Sequence, residues 1–329
     1  MDFTLPESAQ TVAALAAEVL ASADPWKELA RAGLLDVSSL GVLDLAVLLT
    51  EIGRRAPSLK ALATLMTGAL PVLRWGSDQL KEDLLPGVAS GELLLTAALR
   101  EPSTPQPAPP ATTITNGTLT GTKVGVPYAE QSHLVLVPAR LSAPGVALVS
   151  PHAAGVELTR TPSASGALEF TLRMDEAPLT GMLGGADCVR DLYQLAVAGA
   201  LALTRDHVAT REQFGRPLAA FQAVSQQIAE VYIASRTLHL ATLAACWRLD
   251  AGPEMGPVID TAADADLGVA GYWCAEQAPR SVRTCHHLHG GLGMDATYPL
   301  HRFSSLVADL VRYLGGAEYR LERLACSST

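Results

Sequence analysis

Five prolines fall within nine residues between Pro102 and Pro110, and no helix can run through them. Proline lacks the amide hydrogen that a helix needs, and its ring clashes with the carbonyl one turn earlier. The chain therefore divides at this point. Ahead of the break, residues 1–97 read as helices. Ala13, Ala14, Ala16 and Ala17 with Leu15, Val19 and Leu20 make the first, and Trp26–Ala30 leads into a stop at Gly33. Residues 41–53 and 58–75 make two more, divided by Pro57. Ser77-Asp78 is the expected N-cap of a helix over 79–85 that ends at Pro86-Gly87.

Beyond the prolines the pattern changes to short β-type runs: Thr112–Thr115, Thr118–Thr122, His133–Pro138, Val146–Ser150, Val156–Thr161 and Leu168–Met174. Asn116-Gly117 is a hairpin signal between the first two. A small barrel or sandwich over residues 98–182 is the natural reading. From about residue 184 helical spacing returns over 186–210, 219–249, 258–288 and 300–325, so residues 183–329 are expected to form a four-helix bundle. The fold class expected is mainly α with a central β-domain.

Composition agrees. Aromatics make up only 5% of a chain that is 49% hydrophobic, which favours packed Ala/Leu helices. The net charge of −9 argues against nucleic acid or an anionic membrane as partner. It does not exclude an anionic ligand, because a few local arginines can hold a phosphate. The five cysteines include no C-x-x-C pair and read as reduced thiols. Met1-Asp2-Phe3 opens no signal peptide, and no apolar run reaches the roughly 18–20 residues that span a bilayer. A cytoplasmic location is expected.

Two stretches carry chemistry. The first is Arg211-Glu212-Gln213-Phe214-Gly215-Arg216-Pro217-Leu218, closed by Phe221-Gln222. Gly215 and Pro217 make a corner between two helices. An arginine there pairs with phosphate, a glutamine offers donor and acceptor, and a phenylalanine packs on a flat ring. Taken alone, the segment is a capped turn with surface polar groups. The second is His287-Leu288-His289-Gly290-Gly291-Leu292-Gly293-Met294, followed by Tyr298-Pro299 and Arg302.

Together these resemble two signatures of the acyl-CoA dehydrogenase family, R-x-Q/T-F-G-x-P-(I/L)-x-x-(F/H)-Q and Q-x-x-G-G-x-G-(F/Y)…Y-P…R, in the family's order and separation. The resemblance implies an N-terminal helical domain, a β-domain and a C-terminal bundle. It also implies FAD as cofactor and an acyl-CoA thioester as substrate, desaturated between Cα and Cβ. Arg211, Gln213, Phe214 and Gln222 match residues that hold the FAD bound mainly by a neighbouring subunit. His287 stands where the family has Gln, and Gly290 and Gly291 permit close backbone approach to the cofactor.

The residues expected to serve the chain's own FAD are missing. Keeping register from the glycine segment, the family's Y-E-G-T-like base turn falls on Tyr313-Leu314-Gly315-Gly316, and Leu314 cannot accept a proton. A second family placement, on the first bundle helix, offers only Asp187, which reads better as a helix N-terminal acid. Glu276 matches neither placement and is expected to pair with a bundle arginine. The flavin loop reads Glu101-Pro102-Ser103-Thr104-Pro105-Gln106-Pro107, short of glycine. In the strand that resembles K-x-W-(I/V)-(T/S), Gly125 replaces the Trp and Pro127 the hydroxyl residue. Cys285, His286, His287 and His289 cluster, but successive helix positions point about 100° apart, so no metal site is expected. His301 reads as an exposed polar residue.

Within the family, the chain resembles the shorter, base-less subunit of heteromeric α2β2 enzymes that act on steroid side-chain acyl-CoA esters. That resemblance implies a homologous, base-bearing partner subunit whose FAD site this chain completes, with an electron-transfer flavoprotein as acceptor. Two alternatives stand beside it: a self-sufficient homotetramer using Asp187 as base, and a flavin-free scaffold of the same fold.

Overall fold

A computed structural model describes residues 4–55, 59–107, 109–204, 222–250, 261–295, 297–298 and 300–327. It opens with helices α1 (Glu7–Val19), α2 (Pro25–Arg31) and α3 (Val42–Arg55). Helix α1 buries Ala9, Val12 and Ala16, one face of a 3.6-residue repeat. Helix α2 starts where the Asp24 side chain accepts from the Lys27 amide and Pro25 fills the first turn. A continuous run of helix follows: α4 (Leu59–Ala61), a π-helical stretch (Leu62–Ala69) and α5 (Leu70–Trp75). The whole π-helical stretch is buried, and the 58–75 periodicity gives no sign of the wider turn. Helix α6 (Asp78–Ala89) is capped by Ser77, as expected, but continues through Pro86 instead of stopping there. Leu84 and Val88 lie one turn apart on the core side, while exposed Pro86 leaves its freed carbonyl to water.

The sheet has eight strands among the described residues: β1 (Leu95–Ala97), β2 (Thr113–Thr115), β3 (Thr118–Pro127), β4 (Leu134–Arg140), β5 (Pro144–Val149), β6 (Val156–Thr161), β7 (Glu169–Pro178) and β8 (Gly181–Gly184). Seven of them run in the order β6-β7-β3-β2-β4-β5-β8, and β1 adds to β4 in parallel. Asn116 and Gly117 both take positive φ in the β2–β3 turn, setting Thr115 opposite Thr118. Six strands fall where the sequence placed them. Strands β1 and β8 were not foreseen, so the sheet starts before residue 98 and continues past residue 182. All three residues of β1 are buried, which removes the alternation that marks a half-buried strand.

Helices α7 (Ala186–Thr204), α8 (Gln222–Leu249), α9 (Thr261–His289), α10 (Leu300–Leu314) and α11 (Gly316–Ser327) complete the chain, with a short 3-10 turn at Gly290–Met294. The expected helix over 300–325 is thus two helices. Gly315 and Gly316 sit at φ +90° and +84°, a left-handed pair that ends α10 and turns the chain. Helix α7 is central: it packs on α3, the π-helical stretch, α8, α9, α10 and β5. One apolar core runs from α1 through α10, and a second lies within the sheet. Among the described residues no helix is long and apolar enough to cross a membrane.

Candidate functional site

The loop and strand expected to meet a flavin meet each other instead. Lys123 on β3 is 0% exposed, and its ammonium lies 2.8 Å from Glu101 Oε1. The same oxygen accepts from the Thr112 amide at 2.9 Å and the Thr112 hydroxyl at 2.7 Å, and Oε2 from the Ala111 amide at 2.8 Å. Glu101 therefore clamps both ends of the proline loop. Burial opposes ionisation of Glu101, but its donors outweigh that and hold the carboxyl below its ordinary range. Lys123 has one charged partner against deep burial, and burial wins, pushing the ammonium below its usual value.

Two residues along β3, Gly125 takes φ +62°. A side chain there would meet Nη1 of Arg100 and Nη1 of Arg312, each 3.1 Å from its Cβ, and Glu169 Oε2 at 3.3 Å. The position where the resemblance implies an indole is thus bordered by an ion cluster. Arg312 donates through Nη2 to both Glu169 oxygens, at 2.6 and 2.7 Å, and to Asp309 Oδ1 at 3.1 Å. Asp309 is fully buried and accepts from the amides of Ala164 and Ser165 and from the Ser165 hydroxyl. Burial raises the Asp309 carboxyl, but these donors together bring it below the ordinary value. Arg100 completes the group; burial and the neighbouring Arg312 both push its guanidinium down.

The turn expected to bear a catalytic base is closed as well. Leu314 is fully buried at the end of α10. A side chain on Gly315 would lie 2.7 Å from Pro105 Cγ, so the proline loop rests on this turn. Further bonds fix it there. Arg320 donates to the Leu314 carbonyl at 2.7 Å and to Gln106 Oε1 at 3.1 Å, and the Tyr319 and Tyr193 hydroxyls donate to the carbonyls of Gln106 and Pro107. Burial pushes the Arg320 guanidinium down to about 10.

Of the alternative acids, Asp187 lies in the first turn of α7, its side chain 57% exposed and 3.5 Å from Arg190. Glu276 does pair with a bundle arginine, Arg280 one turn along α9, but the acid is 27% exposed where a buried one was expected. Arg211, Gln213 and Phe214 lie outside the described residues, as does the side chain of Gln222. The glycine segment is described. His287 is exposed near the end of α9, and so are Gly290 and Gly291. A Cβ at either glycine would meet nothing within 4 Å. Beneath this open backbone His286 Nδ1 pairs with the Gly293 carbonyl at 2.9 Å and His289 Nδ1 with the Cys285 carbonyl. Met294 at its rim is 83% exposed, and Ile228, Tyr232 and Ile233 on α8 are exposed at 41–62%. His301 is exposed, its Nδ1 bonded to the Tyr298 carbonyl. Among the described residues no group of three or more His, Cys, Asp or Glu side chains could hold a metal ion.

The structure thus brings the loop, β3 and the base turn together as one closed region, and sets the glycine segment apart on an open surface. In the closed region Gly125 is bordered by guanidinium groups, Leu314 is buried, and Pro105 rests against Gly315. Sequence reasoning missed Arg100, Glu169, Asp309 and Arg312. One signal was present: Asp309 falls among Leu306, Val307, Leu310 and Tyr313 on the buried face of α10, where an unpaired acid is not tolerated.

Comparison with known proteins agrees with the sequence resemblance. Residues 2–92 match the acyl-CoA dehydrogenase N-terminal domain and residues 193–325 the C-terminal domain. The chain is 43% identical to acyl-CoA dehydrogenase FadE28 of Mycobacterium tuberculosis over the full length of both. It is similar in structure to a chain of the ChsE4-ChsE5 complex from the same organism, with TM-score 0.87, 28% identity and coverage of 99% and 98%. It is also similar to the Tcur3481-Tcur3483 steroid ACAD G363A variant, with TM-score 0.83, 30% identity and 98% of each chain covered. A glutaryl-CoA dehydrogenase of Mycobacterium smegmatis in complex with FADH2 shares the fold, with TM-score 0.79, 17% identity and coverage of 99% and 95%.

Proposed function

The chain belongs to the acyl-CoA dehydrogenase family, and on that premise we propose that it is the base-less half of a two-chain, FAD-dependent dehydrogenase. In this reading it completes the FAD site of a homologous partner and holds no flavin of its own. The observation that carries it is the closed region: Leu314 is buried, Pro105 rests against the next residue, Gly315, and the Glu101–Lys123 pair and the Arg312 cluster stand on the strand side. The open glycine backbone at Gly290 and Gly291, and the exposed apolar side chains on α8, support a surface that meets another chain.

Bound FAD supplies hydride acceptance at the β-carbon, and the partner's carboxylate takes the α-proton. This chain's residues do neither. Arg211 and Gln213 would hold the diphosphate and adenosine end of the partner's cofactor, Phe214 would pack on it, and Gln222, His287, Gly290 and Gly291 would line its approach. The substrate is an acyl-CoA thioester, in this reading a steroid side-chain ester; one similar structure is described as a steroid ACAD and another as a two-protein complex. An electron-transfer flavoprotein is the proposed acceptor. The exposure of Asp187 and its pairing with Arg190 support a helix-terminal role for it, not a homotetramer with Asp187 as base.

Arg211→Ala tests this in the co-expressed complex. The variant should still co-purify with its partner but lose flavin, because each charge-assisted bond to the diphosphate contributes about 1.5–3 kcal/mol. A variant complex that keeps its full flavin and activity contradicts the reading.

A further inference from the structure

We propose that the chain's own half-site is not merely short of ligating groups but sealed. The seal is an ion cluster of Arg100, Glu169, Asp309 and Arg312 beside Gly125, backed by the Glu101–Lys123 clamp. It rests on the reading above in one respect: the sealed region is taken to be the half-site that holds no flavin.

Three features carry it. The first is space. Gly125 sits at φ +62°, and any Cβ there would crowd both guanidinium groups and Glu169 Oε2. A ring at this position would have to displace the ends of side chains that are bonded to one another. The second is charge. Two arginines and two carboxylates balance, and Glu169 and Asp309 are 3% and 0% exposed, so neither could stay ionised there without its partners. The third is connection. Glu169 opens β7, Arg100 follows β1, and Asp309 and Arg312 stand on α10. Asp309 also grips the backbone of Ala164 and Ser165, between β6 and β7. The cluster therefore bolts the sheet to the helix that ends in Leu314. The clamp folds the proline loop onto the next turn, where Pro105 meets Gly315. Sheet, loop and helix are thus held to one another by charged bonds within the protein.

A consequence follows: restoring lost groups one at a time does not reopen the site, because Arg100, Glu169 and Arg312 already meet at Gly125. The test uses the co-purified complex and three variants: Glu169→Met, Arg312→Met and the pair together. Arg312→Met strands the buried Glu169 carboxylate, and Glu169→Met leaves two neighbouring guanidinium groups without the carboxylate beside them. Each change should lower the melting midpoint by about 5 °C or more and speed amide exchange at Ala164 and Ser165 about 10-fold. The double variant removes one charge of each sign and should lose clearly less than the sum of the two singles. Flavin per complex should not change in any of them, because the flavin sits in the partner's site. Single variants that leave melting and exchange unaltered overturn the seal, as does a double variant whose loss equals the sum of the singles. If wild-type complex carries one flavin in every chain, the half-site reading itself fails, whatever the variants do. One flavin per pair with uncoupled variants overturns the seal alone.

Discussion

Replacing Lys123 by Met leaves Glu101 buried with a charge and without its cation. Lys123 is 0% exposed and Glu101 5%, so water screens neither partner. Breaking a buried pair from one side costs about 3–5 kcal/mol. Glu101 keeps the Ala111 and Thr112 amides and the Thr112 hydroxyl, each within 2.9 Å, so the lower end applies, about 3 kcal/mol. For a chain of this size that corresponds to a fall in melting midpoint of about 6 °C. Urea denaturation of wild type and Lys123→Met at pH 7, followed by circular dichroism, reads the difference directly. The folded-state carboxyl of Glu101 lies below its ordinary value of 4.5, so its share of stability is present above that pH and lost as pH falls through the folded value. Removing Lys123 lifts the folded value, and the gap between variant and wild type should therefore narrow towards pH 4. A loss at pH 7 below about 1 kcal/mol, the usual size for an exposed pair, refutes the reasoning, as does a gap that widens in acid.

Asp309 gives a second acid-sensitive contribution, since its carboxyl also lies below the ordinary value of 3.8. Its stabilisation is present above that value and lost as pH falls through the folded one, so Asp309→Asn should start less stable at pH 7 and lose less on acidification, measured by melting at stepped pH. Leu314→Glu should yield no dehydrogenase activity in the isolated chain and should cost about 3 kcal/mol, because the new carboxylate is buried without a partner; turnover and melting check both. Asp187→Asn should leave the turnover of the complex within about twofold, whereas loss of a true general base costs about 10²-fold or more.

Much of the fold was legible because its signals are local. The prolines from Pro102 to Pro110 and the Asn116-Gly117 turn mark where helix ends and where a hairpin forms, and neither depends on tertiary contacts. Helix α6 outran its expected end because burial of Val88 outweighs the bond lost at Pro86, and a propensity argument cannot weigh that. The break between α10 and α11 was written in Gly315-Gly316, but the apolar pattern on either side hid it. For the site, the departures from the family pattern at Leu314 and Gly125 could be read by register, since each is one residue in a motif that the chain resembles. What fills their place could not. Arg100, Glu169 and Arg312 are far apart in sequence, and only folding makes neighbours of them.

The flavin content of the purified complex tests the proposed division of labour most directly. FAD released by denaturation, counted against protein for this chain co-expressed with its base-bearing partner and for this chain alone, should give one flavin per pair and none for the single chain. One flavin in every chain, or a yellow and active preparation of this chain by itself, contradicts it.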